Sequence, residues 1–199
     1  MLGKGKNAMP SIERKIEIEK TVDSIIEQNS NIQIPAFDIV KFLKDKEHFA
    51  IATQPMTDNT TGVLLVNDEE LIQDTGTNRL IIINSLLQEK ENYIQRRRFI
   101  IAHEFGHFVL HKNETRQFAH RDTNKRDTVA EKEADFFARC LLMPKNVLET
   151  ILKLDFLKDM PFDGKVALIS RIFNVTKKKA EQRLKEDLCY NGWLLQNCW

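Results

Sequence analysis

The segment His103-Glu104-Phe105-Gly106-His107 sets two imidazoles four residues apart, with a carboxylate beside the first. On a helix, positions i and i+4 share one face a turn apart, so both rings can reach a single metal ion. Imidazole nitrogen suits zinc, at bond lengths of about 2.0–2.1 Å. Zinc lowers the pKa of a bound water to about 7, and Glu104 stands where it can take a proton from that water and pass it to a leaving amine. Such short patterns also arise by chance, and a histidine pair can simply flank a core helix. Here Ile100-Ile101-Ala102 precedes the motif and Phe108-Val109-Leu110 follows it. That is the buried amphipathic helix on which such a site must lie.

A catalytic zinc site needs a third protein ligand and an open position. Zinc peptidases that take a third histidine after a glycine are excluded, because those two positions are Leu110 and Asn113. His111 lies one turn beyond His107, too far along a straight helix to share the ion; it reads as an outer partner of the site or a capped surface histidine. The better candidate is Glu131, in Glu131-Lys132-Glu133-Ala134-Asp135. Glu131 and Asp135 are i and i+4, the spacing at which His-His-Glu sites use a glutamate as ligand and an aspartate to fix a ligand histidine's tautomer. Glu133 is its rival. Thr128-x-x-Glu131 also matches a capping box, in which the glutamate only satisfies a helix N-terminus. Ala134 and Ala138 are small enough to let this helix approach the first.

The elements that would position these groups follow from periodicity. Helical spacing runs from Ser11 to about Gln28, and Pro35 suits the first turn of a helix reaching Lys46. Phe49–Gln54, Thr61–Val66 and Arg79–Ile83 are short and rich in β-branched residues, hence strands. Residues 91–111 return to helical spacing, residues 112–127 form a polar loop, and Thr128 opens a helix closed by Pro144. Further helices are expected over 145–158, 164–173 and 176–187. The expected fold class is α+β: a small β-sheet packed against the HExxH helix, with a C-terminal helical bundle. The expected divisions are an N-terminal arm and helix over 1–30, a core over 31–160, and a helix-turn-helix-like segment over 161–199 packed on that core.

Leu80, Ile81, Ile82 and Ile83 lead into the site helix and are the candidate edge for pairing an extended substrate. An interior strand is the alternative for so apolar a run. An oxyanion would need a donor besides the metal; Tyr93, Arg121 and above all His120, in the polar loop, are the candidates.

Composition narrows the setting. Net charge is +1 over 199 residues, so whole-chain charge points to neither nucleic acid nor acidic membrane. Arg96–Arg98 and Lys177–Lys179 read as solvated faces. No apolar run suits a membrane span, and residues 1–10 lack the apolar core of a signal peptide. Cys140, Cys189 and Cys198 form no CxxC pair, which fits free thiols in a cytoplasmic, reducing setting.

The extended pattern Arg97-Arg98-Phe99-x-x-Ala102-His103-Glu104-x-Gly106-His107, then Glu131-x-Glu133-Ala134-Asp135-x-Phe137-Ala138-x-x-Leu141-Leu142-Met143-Pro144, resembles the ImmA/IrrE family of metallopeptidases. Asn84, Phe173-x-Val175-Thr176 and Arg183-Leu184 fit as well, and the resemblance spans roughly residues 35–187. Where the family often has Asn, this chain has Asp135; either accepts a hydrogen bond. The resemblance implies a regulatory zinc endopeptidase that cuts a helix-turn-helix repressor and so acts on transcription of phage, mobile-element or stress genes. Zn2+ is the expected cofactor, although His-His-Glu sites also accept manganese, iron or cobalt. The expected partner is a protein substrate, with no membrane and no direct nucleic-acid contact. The rival reading takes Val166–Leu184 as a helix-turn-helix, with Lys177–Lys179 opening a recognition helix, in a DNA-binding or scaffold regulator whose metal site is not catalytic.

Overall fold

The computed structural model describes residues 9–29, 35, 37–56, 60–67, 72–74, 76–111 and 128–190. The fold is α+β. Helix α1 (Ile12–Glu27) begins where Ser11 accepts a hydrogen bond from the Arg14 backbone, 3.2 Å away. Helix α2 (Ile39–Asp45) starts later than Pro35, because the Asp38 side chain caps it by accepting from the Lys41 backbone. The strands are β1 (Ala50–Gln54), β2 (Gly62–Val66) and β3 (Arg79–Asn84). A 3-10 turn, Ser85–Leu87, leads towards α3 (Tyr93–Leu110). Then come α4 (Val129–Leu142), α5 (Lys145–Leu152), α6 (Asp155–Lys158), α7 (Phe162–Ile172) and α8 (Lys177–Tyr190). The single helix expected over 145–158 is thus two, broken between Leu152 and Asp155.

The sheet order is β1-β3-β2, with β1 parallel and β2 antiparallel to β3. Ile81 pairs with Ile51 on one side and Leu64 on the other. This overturns the expectation that Leu80–Ile83 is an edge: β3 is interior, and its isoleucine run is apolar because Ile81, Ile82 and Ile83 are buried. Asn84 ends the strand by binding several backbones at once. It accepts from Met56 and Leu86 and donates to Thr60, at 3.2, 3.0 and 2.8 Å. Those bonds tie the β1–β2 connection to the approach of the site helix.

The α3–α4 pair forms the centre of the molecule. Its close approach is set by Gly106, where a Cβ would stand 2.9 Å from the Phe137 ring and 3.3 Å from the Ala134 backbone. Ala134 and Ala138 are fully buried along the crossing. Phe42, Phe49 and Phe137 meet the Phe105 ring edge-on on this core. Helix α1 packs on the other side of α4 and α8 follows it, joined through fully buried Arg183. That guanidinium donates to Glu19 at 2.8 Å and to the Met143 carbonyl at 3.1 Å. No described helix is long and apolar enough to cross a membrane.

Candidate metal centre

Helix α3 presents His103 and His107 one turn apart, with their Nε2 atoms 3.1 Å from each other. Glu131, in the first turn of α4, sets one carboxylate oxygen 3.3 Å from His103 Nε2 and the other 3.2 Å from His107 Nε2. A tetrahedral ion with ~2.0–2.1 Å bonds has ligand–ligand edges of about 3.3–3.4 Å. The two nitrogens and the Glu131 carboxylate, which turns a different oxygen to each ring, therefore converge at the scale of such a cage, and their nitrogen and oxygen donors suit a divalent ion of zinc type.

Both readings of Thr128-x-x-Glu131 hold at once. The Thr128 hydroxyl caps the Glu131 backbone at 3.2 Å, while the Glu131 side chain reaches across to the histidines. Its rival Glu133 faces α1, where it accepts from Arg14 at 2.9 Å. His111 sits with Glu133 rather than on the surface: its side chain is 9% exposed and its Nε2 is 3.7 Å from that carboxylate.

Asp135 lies 3.1 Å from His103 Nδ1. A proton held there leaves the Nε2 lone pair facing Glu131 and His107. Two groups that the sequence reading did not assign to the site hold Asp135 in turn. Lys179, at the start of α8, donates to its other oxygen at 2.7 Å and covers the Phe99 ring at 3.9 Å from the centroid. Arg139, one turn on from Asp135, approaches at 3.4 Å and grips Glu186 with two bonds. The i,i+4 rule could have found Arg139. Nothing in the run Lys177–Lys179 marks which lysine turns inward. The expectation that the whole run is solvated is corrected for Lys179, as it is for Arg98, which donates to the Phe37 carbonyl at 2.8 Å.

The charges are arranged for a cation. Burial disfavours imidazolium at His103, but Asp135, Glu131 and Glu104 outweigh it and raise the ring to about 9. Burial likewise opposes charge on Asp135, yet His103 and Lys179 hold its carboxyl far below the usual carboxylate range. Glu104 is 1% exposed, and its carboxylate lies against the start of β2, 3.4 Å from where a Gly62 Cβ would be. Tyr93 opens α3 ten residues before His103, about 15 Å along the axis, and so does not reach the site. His120 and Arg121 lie outside the described residues.

An α+β chain with an HExxH helix, a glutamate from a second helix and a supporting aspartate has the make-up of a metallopeptidase core. Residues 47–185 match the model of the Peptidase M78 family, described as the IrrE N-terminal-like domain, and the chain belongs to that family. A solved structure described as a Mycobacterium tuberculosis transcriptional regulator is similar at 12% identity and a TM-score of 0.49. That match covers 84% of this chain and 47% of the regulator, so this chain spans less than half of that protein. No curated protein matches the chain.

Proposed function

We propose that this protein is a zinc-dependent endopeptidase of regulatory type, acting in the cytoplasm on a helix-turn-helix transcriptional repressor. The observation that carries the reading is the convergence of His103, His107 and Glu131 close enough to share one ion, with buried Glu104 beside them. These three side chains would hold the ion, and Mn2+ is the alternative occupant. When bound, the ion supplies a Lewis acid for the scissile carbonyl and a nucleophile available at neutral pH.

The remaining work falls to the chain itself. Glu104 takes the proton of the attacking water on its carboxylate and delivers it to the leaving amine. Asp135 fixes the His103 tautomer, and Lys179 and Arg139 fix Asp135. An extended substrate pairs its backbone with β2, which β3 borders on one side only among the described strands. The assignment of β2 replaces that of β3, and it brings the substrate past Gly62 to Glu104. The repressor as substrate, and a phage or mobile-element setting, rest on the family resemblance.

Elemental analysis of purified variants tests the centre. Wild type and Glu104→Gln are expected to hold close to one zinc per chain. His103→Ala is expected to lose it, Glu131→Ala to bind it much more weakly, and Glu133→Ala to retain it. Glu104→Gln should then leave a candidate repressor intact under conditions where wild type cuts it. A wild-type protein that takes up no metal on reloading with zinc sinks the peptidase reading and brings the DNA-binding or scaffold reading forward.

A further inference from the structure

Beside the candidate centre lies a cleft of about 1050 Å³, whose walls include Thr61 below β2, Phe99 and Ile100 on α3, Asp135 on α4, and the α7–α8 turn. Four exposed cations line it, Arg96, Arg171, Lys177 and Lys178, against one exposed carboxylate, Glu91. The chain as a whole is nearly neutral at +1, so this is a local concentration of charge. We propose that the cleft is a specificity groove that takes an acidic stretch of the protein substrate on one side of the scissile bond. The proposal rests on the peptidase reading for the identity of its occupant.

Three further observations support it. A helix N-terminus carries positive partial charge and is stabilised by acidic residues, yet the first turn of α8 has none and holds Lys177, Lys178 and Lys179 instead. Lys179 is compensated by Asp135, whereas Arg171, Lys177 and Lys178 make no ion pair among the described residues. Lys177 and Lys178 stand where they least help the fold, and a carboxylate-rich guest would relieve the helix end as well as its lysines, with Arg171, in the last turn of α7, facing the same cleft. Gln182, also on the wall, has its side-chain oxygen buried with no hydrogen-bond partner among the described residues.

Polypeptide is favoured over nucleic acid by shape and continuity. The surface is concave and is walled by Phe99, Ile100 and Asp135, the last of which holds His103, so an occupant lies alongside the candidate centre. A duplex groove demands a protruding helix, and the first turn of α8 has Lys179 turned inward onto Phe99.

The test uses the full chain as Glu104→Gln, loaded with zinc, and reads binding by fluorescence anisotropy at low ionic strength. The probes are a fluorescein-labelled Glu-Ala repeat peptide and its Gln-Ala counterpart. The acidic peptide is expected to bind about ten-fold more tightly, as a few exposed ion pairs allow. Arg171→Glu with Lys177→Glu and Lys178→Glu should abolish the preference. Lys20→Glu with Lys44→Glu and Lys46→Glu, exposed sites outside the cleft with the same change in net charge, should keep it. The neutralising pair Arg171→Gln and Lys178→Gln stands in if the reversed protein fails to fold.

Equal binding of the two peptides overturns the proposal, as does equal loss in both reversed proteins. Loss of the preference on chelation, with no effect of charge reversal, would mean that the peptide binds the ion directly, and so overturns it. So would short duplex DNA binding through these residues while the acidic peptide does not. The peptidase reading fails separately: acidic-peptide binding through these cations with no cleavage by wild type removes the enzyme and leaves the groove. Cleavage with no acidic preference does the reverse.

Discussion

Two charged networks flank helix α4 on different sides, and they are built on different plans. Towards α1 and α8, carboxylates meet guanidinium groups supplied by the chain: Glu133 with Arg14, Glu19 with Arg183, Glu186 with Arg139. Towards α3, the carboxylates of Glu104, Glu131 and Asp135 gather around two imidazoles, and Lys179 and Arg139 both reach Asp135. The excess of negative charge is visible in His103, which is raised to about 9 once the carboxylates overcome its burial. In the first network each carboxylate is closed by a guanidinium and helices are joined, with Arg139 reaching into the second as well. The second brings two imidazoles and a carboxylate together in a group that could hold a divalent cation. Similar residue types, a few ångströms apart, thus join helices on one side of a helix and form a candidate metal centre on the other.

Breaking the closed network should give the largest effect on stability. Arg183→Met leaves the Glu19 carboxylate, whose side chain is 13% exposed, without its guanidinium. The expected cost is about 3–5 kcal/mol, a fall in Tm of roughly 6–20 °C for a chain of this size. Adding Glu19→Gln should restore most of it, because an apolar or neutral replacement of a whole buried pair is often close to neutral. Thermal and urea melts decide the matter; a loss below about 1 kcal/mol would mean that the brace is ornamental.

Lys179→Met strikes the second network from outside. The expected result is a metal affinity about 10–100-fold weaker, read by chelator competition, with Lys179→Arg recovering part of it. Unchanged affinity alongside a lowered Tm would assign Lys179 to packing against Phe99 alone.

How much of this contrast was legible beforehand depends on the range of each interaction. His103, Glu104, His107, Glu131 and Asp135 follow from spacing within single helices, because i and i+4 fix a shared face whatever the tertiary fold. The strands and most helix ends were equally local, with Ser11 and Thr128 capping as their types suggest. The order of strands was not, since an isoleucine run looks the same at an edge and in an interior. Nor was the partner of Glu133, which is 119 residues away at Arg14, or that of Asp135, 44 residues away at Lys179. Periodicity states which way a side chain faces on its own helix, and only packing states what it meets there.

Proton and metal should compete for the second network, and the sign follows from His103. Its folded value of about 9 exceeds the ordinary 6.5, so in chelated protein its stabilisation is complete below pH 6.5 and is lost as pH rises through 9. Chelated protein should therefore lose stability across that window, on the order of 1 kcal/mol, while zinc-loaded protein should not. Melts at pH 6 and pH 9.5, with and without metal, provide the comparison. Parallel losses in both forms would place the titrating group elsewhere.

The finest test is one methyl group at the crossing on which both networks depend. Gly106→Ala gains about 1 kcal/mol of helix propensity but meets an overpacking cost of about 1–3 kcal/mol. The Phe137 ring 2.9 Å away is fully buried and held edge-on by Phe105, and the atoms at 3.3 Å are Ala134 backbone, which moves only with α4. Gly164→Ala makes a contact as short on paper, 2.8 Å from Met160 Cγ, but there a flexible thioether can swing aside. The Gly164 variant should be neutral or slightly stabilised, and the Gly106 variant destabilised by about 1 kcal/mol. The Gly106 variant should also bind zinc more weakly, because any shift of α4 carries Glu131 and Asp135 away from the α3 histidines together. If Gly106→Ala lowers Tm but leaves zinc affinity untouched, the helix spacing serves the core alone, and the precision of the centre must come from the hydrogen bonds around Asp135.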